Sequence, residues 1–408
     1  MTDVVTGQPV RKRLRNKGRQ SYPKLTVSGR VRLRRRWWHS PCSGSVAPAD
    51  AVIDREQQTV SPGVREMGCR LNNDASSFDH AVDNLLRTAQ IRLSGEQLRQ
   101  LVLAEGQRVL AAQQAGAIKP EFQATDCRVC PHQPDSPTRI YSGVDGVMVP
   151  LVTEAEKVQR RKKVLQKRRR RGKKCRPLPP RTRGADRSFK EFKTIVFYDE
   201  QGQHWHEMLS RSSRKNVGSV IRREAQRLNF AAAKERIANV DGATWIRERL
   251  TERPDQLPLD GLGLDFYHLS ENVHRARRTV CGEESPDGQS WAAQLMHTFK
   301  HEGYQAAWQQ LVTWRASLRG RRKREAADRL LHYVSKRWDM IDYPEFRKRG
   351  WQIGSGPTES RCKTSTFRLK GRGRRWNIKN AEAVAALTTL RDSHQWPQYW
   401  LTPKPTKT

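Results

Sequence analysis

Asp145 and Asp241 each precede a glycine, Asp265 stands three residues before His268, and Glu359 follows Ile353-Gly354-Ser355-Gly356-Pro357-Thr358. In a chain of net charge +36, acids at such positions are chemically conspicuous. Asp241 and Asp265 each end a short apolar strand pattern, and Asp145 sits at an Asp-Gly bend. Mixed sheets with helical crossovers bring strand ends to one rim, so these carboxylates can converge. Bare clustered carboxylates repel and raise one another's pKa unless a divalent cation neutralises them. Mg²⁺ is the expected ion, since it takes oxygen ligands and leaves positions for water and phosphate. Two such ions about 4 Å apart activate an attacking oxygen and stabilise the leaving oxygen of a phosphodiester. Taken singly, each acid also reads as a turn residue or a helix N-cap. The joint pattern is what points to chemistry.

These residues must be held by strands and helices. Residues 138–150 suggest a strand, a tight Asp-Gly bend and a second strand; Lys193–Tyr198 suggests a third, turned back at Asp199-Glu200-Gln201-Gly202. Helices are expected over 216–228, from Trp245 and to about Arg278, alternating with strands at 236–240 and 261–264. The stretch 285–343 reads as all helix and carries Trp291, Trp308, Trp314 and Trp338. Two more helices, 357–369 and 379–393, follow the Gly-Ser-Gly turn. Pro357 suits a first helical turn, which puts Glu359 there as well. Lys363 shares its helix face one turn on.

Upstream, residues 1–24 read as a flexible basic arm and Leu25–Leu33 as a short hairpin, with 40–75 as loop. Phe78, Val82, Leu85, Leu86 and Ala89 line one face of a helix capped by Ser76 or Ser77. Ser94-Gly95-Glu96-Gln97 opens a second helix to about Ala112. The pair (76–112) reads equally as a helix-turn-helix or as two ordinary packed helices. A linker (116–137) carries Cys127-x-x-Cys130, half a zinc site at most, so zinc is not expected.

Lys plus Arg number 78 against 42 Asp plus Glu, and such a surface favours a polyanionic partner. The densest tract, Lys157–Arg183, has almost no apolar residues, which argues for nucleic acid over membrane. It reads as a disordered DNA-contacting arm through Arg168, Arg169, Arg170 and Arg171, with a merely solvated loop as the alternative. Nothing approaches a membrane span, no leader pattern is evident, and seven scattered cysteines suit a reducing, cytoplasmic setting.

Asp145-Gly146, Val240-Asp241-Gly242-Ala243-x-Trp245-Ile246, Leu264-Asp265-x-x-His268-Leu269 and Ile353-Gly354-Ser355-Gly356-x-x-Glu359-Ser360 together resemble the motif set of DDE transposases of bacterial insertion sequences, closest to the ISKra-type group of the Mutator-like clan. The resemblance covers roughly 26–395. It implies an α/β fold: an RNase H-like mixed sheet with flanking helices, interrupted by an all-helical insertion and preceded by a small helical DNA-binding region. It implies a triad of Asp145, Asp241 and Glu359 holding two Mg²⁺ ions, with Mn²⁺ able to substitute. Asp265 and His268 become an orienting pair, with Asp265 the alternative to Asp241 as ligand. The implied division is a binding region (25–115), a core (138–284, basic insertion 157–185), an insertion domain (285–350), a closing core segment (351–395) and a tail (396–408). Relatives carry an N-terminal cysteine cluster where only Cys42 occurs here. The run Arg368, Lys370, Arg372, Arg374, Arg375 and Trp376 resembles a basic-aromatic pattern after the catalytic Glu; with Lys363 it is expected on DNA, and Trp376 reads equally as a base-stacking or a core residue. The implied activity is metal-dependent cleavage and strand transfer on double-stranded DNA (terminal inverted repeats and target) by a homodimer or higher oligomer at the bacterial nucleoid. The rivals are an RNase H-like nuclease or resolvase, and a non-catalytic DNA-binding relic.

Overall fold

The computed structural model describes residues 14–41, 44–50, 59–172, 176–252, 254 and 256–401. The expectations for residues 1–13, for Cys42 and for 173–175 of the basic tract lie outside them. The chain divides into two units, Met1–Arg108 with Trp400–Thr408, and Val109–Tyr399.

The first unit contains an antiparallel sheet of β1 (Arg15–Thr26), β2 (Gly29–Ser40) and β3 (Gly44–Val46), in that order. Residues 15–24 are thus strand rather than a flexible arm: the hairpin expected at 25–33 extends until Arg15 faces His39. Strong alternation on β2 carries pairing well beyond the short apolar segment. A helix at Pro62–Asp74 occupies part of the stretch expected as loop; Ser61 caps it and Pro62 is pre-set for its first turn. Helices Phe78–Ala89, capped by Ser77, and Gly95–Gln114 match the expected pair. Val64, Leu85 and Ile91 form a buried cluster in this unit.

The second unit is built on a five-stranded mixed sheet, ordered β6-β5-β4-β7-β8. Its strands are β4 (Arg139–Pro150), β5 (Phe189–Asp199), β6 (Trp205–Ser210), β7 (Glu235–Val240) and β8 (Gly261–Leu264). β4, β5 and β6 pair antiparallel, whereas β4, β7 and β8 run parallel. The parallel steps need crossovers, supplied by helices Val217–Arg227 and Thr244–Thr251.

Three expectations need correction here. The Asp-Gly at 145–146 does not bend the chain: β4 is continuous, with Asp145 and Gly146 facing Thr194 and Lys193 of β5. A long paired neighbour outweighs the local turn preference. The basic tract is not wholly irregular, because Glu154–Arg170 is a helix with no buried residue. A Thr153–Glu156 capping box starts it, and Lys, Arg and Gln are good helix formers that need no core. Residues expected as linker are partly core, since Phe122, Ala124 and Cys127 are buried.

After β8, helix Phe266–Cys281 leads into helices Pro286–His301, Tyr304–Ser317, Arg321–Ser335 and Tyr343–Lys348, with no strand between them. The chain returns to the sheet as helix Gly356–Lys370, which packs on β4 and β5, and helix Ile378–Asp392, which packs on β6. Trp396–Leu401, expected as loose tail, is helical. No helix among the described residues is long and apolar enough to cross a membrane.

Candidate active site

Asp145 lies at the middle of β4, where its carboxylate accepts from its neighbour Gly146 N–H and from the thiol of Cys362, 3.2 Å away. Burial, with the charge of Asp145, pushes the Cys362 thiol far above its ordinary pKa, so it stays protonated and donates. Cys362 belongs to the Gly356–Lys370 helix, three residues after Glu359. That helix approaches β4 closely because Gly143 has no side chain; a Cβ there would overlap the Thr358 hydroxyl.

Asp241 follows β7 directly and accepts from the Ala243 N–H at 2.8 Å, closing the turn into helix Thr244–Thr251. The turn passes through Gly242 at φ +76°, a left-handed conformation that favours glycine. Arg337 donates to the Gly242 carbonyl at 2.9 Å and fixes this turn. Burial, partly offset by the Ala243 N–H and reinforced by Asp145, raises the pKa of Asp241.

Glu359 stands in the first turn of its helix, with Oε1 3.5 Å from Ser355 Oγ and 3.6 Å from His268 Nε2. Asp145, Asp241 and Glu359 line one small cleft together with Val144, Val240, His268, Ser355 and Thr358. The middle of β4, the end of β7 and the first turn of the helix thus meet, although the three acids are far apart in the chain. Among the described residues, none of the three is ion-paired with a lysine or arginine. In a chain with 78 of those cations, such carboxylates are left available for another positive charge.

Asp265 is fully buried and behaves differently. One oxygen accepts from the His268 N–H at 2.8 Å, capping helix Phe266–Cys281, and the other accepts from the Ser355 N–H. It therefore ties the Gly-Ser-Gly turn to the end of β8. Among the described residues, the three acidic or imidazole side chains whose ligand atoms all lie within 4.8 Å of one another are Asp265, His268 and Glu359; Asp145, Asp241 and Glu359 share the cleft without reaching that spacing. Both Asp265 oxygens already accept N–H bonds, so its structural task is the better satisfied.

The basic residues separate into two sets. Lys363, Lys370, Arg372, Arg169, Arg170 and Arg171 are exposed, and Arg168 is half-buried with a bond to the Arg176 carbonyl. Arg374 binds the Phe367 and Arg368 carbonyls, and Arg375 binds the Leu151 carbonyl and Glu156. Arg368 is buried 5.3 Å from the Trp376 ring centre, and burial lowers its pKa to about 10. Trp376 is itself buried, donates to the Leu369 carbonyl at 3.1 Å and forms an isolated parallel bridge with Leu151, just past the end of β4. Of the two readings of Trp376, its burial fits the core one, and Arg368 is buried beside it rather than exposed like Lys370 and Arg372. Sequence reasoning missed Cys362 and Thr358; only their spacing around Glu359 on one helix marks them. A comparison with protein-family models and with curated proteins finds no match to this chain.

Proposed function

We propose that this chain is a DDE-type transposase, a metal-dependent enzyme that cleaves DNA at element ends and joins the freed 3′ ends to target DNA. The observation that carries the reading is the meeting of Asp145, Asp241 and Glu359 on one cleft without any basic partner. The strand order, with three antiparallel strands and two parallel ones added at β4, supports an RNase H-like core. The run of helices from Pro286 to Lys348 supports the reading of an insertion between β8 and the Glu359 helix. Charge +36 supports double-stranded DNA as partner, held by an assembly of two or more copies at the nucleoid.

The chemistry of the donor set suits Mg²⁺ or Mn²⁺: three carboxylates that line one cleft, carried by β4, the turn after β7 and a helix. Asp145, Asp241 and Glu359 would hold the ions, which supply charge neutralisation and activation of phosphodiester oxygens. The protein's own work is positioning. The Cys362 thiol orients Asp145, the Ala243 N–H orients Asp241, and Ser355 with His268 frames Glu359. Asp265 fixes the turn that delivers the Glu359 helix.

The test is purified protein with duplexes carrying its element ends, with and without Mg²⁺. Parent protein nicks and joins; Asp145→Asn, Asp241→Asn and Glu359→Gln bind DNA and do neither. Asp265→Ala leaves two buried N–H groups unpaired and loses about 1–3 kcal/mol of stability, with residual activity at low temperature. Asp241→Asn at full activity would remove the assignment, and cleavage without joining would make the enzyme a nuclease.

A further inference from the structure

Every second residue of β2 from Arg30 to Arg36 is an arginine: Arg30, Arg32, Arg34 and Arg36. Side chains alternate across a strand, so these four share one face, and all four are exposed. The other face carries Leu33, Arg35 and Trp37, with Arg35 buried against Asp50 and stacked on Tyr22 at 3.8 Å. β1 adds Arg19 directly opposite Arg36. Like charges in that relation destabilise a hairpin, so the ribbon carries repulsion that a bound anion would relieve. Residues 15–40 include no Asp or Glu. Ion pairs of the first unit fall on Arg35, Arg65, Arg87, Arg99 and Arg108. Among the described residues, Arg19, Arg30, Arg32, Arg34 and Arg36 take none.

We infer that the β1–β2 ribbon is a docking element for duplex DNA, lying in the major groove with the arginine row against the phosphates. The row repeats every two residues, about 6.8 Å, while a duplex offers one phosphate per about 3.4 Å of rise on each strand. A two-stranded ribbon fits the B-form major groove, whereas the A-form groove of duplex RNA is deep and too narrow for side chains to read. This differs from a helix-turn-helix reader, whose recognition helix would supply the contacts. It deepens the proposed function and rests on DNA being the substrate, but it is tested without catalysis.

The experiment measures full-length protein binding to a fluorescent duplex DNA, and to duplex RNA of the same sequence, between 50 and 200 mM salt. The variant combines Arg30→Gln, Arg32→Gln, Arg34→Gln and Arg36→Gln; a second replaces all four with lysine; a control removes four exposed arginines of the second unit, Arg319, Arg321, Arg322 and Arg324. Near-UV circular dichroism checks folding. The glutamine variant is expected to lose about 3–4 units of the log–log salt slope on DNA, equivalent to about 100-fold of salt-sensitive affinity over that range. The lysine variant keeps most of the slope, the control keeps nearly all of it, and RNA binding changes far less. An unchanged DNA slope in the glutamine variant overturns the ribbon, and equal losses on DNA and RNA overturn the groove assignment. If cleavage is absent while the slope falls as expected, the catalytic reading fails and the ribbon stands; normal cleavage with an unchanged slope gives the reverse.

Discussion

At the scale of single residues, the molecule separates carboxylates left without a lysine or arginine partner from those that do structural work. Glu207 of β6 belongs to neither set. It is 1% exposed, and neither carboxylate oxygen has a hydrogen-bond partner among the described residues. Burial first, and then the charge of Asp392, push its pKa up to about 8. An unfolded glutamate titrates near 4.3, so between roughly pH 4.3 and 8 the folded chain holds a proton that the unfolded chain releases. The neutral side chain's contribution to stability is complete below that range and is lost as pH rises through it. Glu207→Gln should therefore match the parent near pH 4.5 and exceed it by about 2 kcal/mol or more at pH 8. Thermal unfolding of both proteins across that range checks this, and a pH-independent difference would show that Glu207 does not titrate there.

Elements position the site more than any residue alone, and they differ in how far the sequence discloses them. The strand-helix alternation from 193 to 281 was legible because apolar runs ended at turn residues, with Asp241 and Asp265 at those ends, and Glu359 was legible from the Gly-Ser-Gly turn and Pro357 that open its helix. Asp145 was legible as a candidate but not as a mid-strand residue, because pairing along the whole of β5 is a long-range fact. Helix Glu154–Arg170 was illegible for another reason: it buries nothing, so it has no periodic apolar signal. The buried fate of Trp376 depended on pairing with Leu151, more than two hundred residues earlier in the chain. The approach of the Glu359 helix to β4 can be tested directly. Gly143→Ala sets a methyl group against Thr358 and should cost about 1–3 kcal/mol while also impairing cleavage. Thr358→Ala removes the hydroxyl at the closest approach but leaves its Cβ 2.9 Å away, so the double variant should recover part of both losses. Additive losses in the double-mutant cycle would mean that Gly143 matters for some reason other than this contact.

Across the whole molecule, the dominant physical fact is the charge of +36. Self-repulsion on that scale destabilises a compact state, while acids in the second unit are largely spent on internal pairs such as Arg139 with Glu200 and Glu235. The cleft carboxylates form a small negative centre within this positive surface. A duplex attracted by the surface brings more negative charge to that centre, so DNA and divalent cations should assist each other's binding there. Duplex DNA at 100 times its Kd should raise stability by about 2.7 kcal/mol, read as an increase in unfolding temperature. Raising salt from 50 to 200 mM should shrink that increase steeply, because counterion release drives the binding. Adding Mg²⁺ at constant ionic strength should produce a further increase in the parent that exceeds the sum of the separate effects. Asp145→Asn and Glu359→Gln should keep the DNA-induced increase and lose the extra gain with Mg²⁺. Equal Mg²⁺ gains in parent and variants would mean that the ion acts on the DNA alone, and that the cleft adds no coupling between the two.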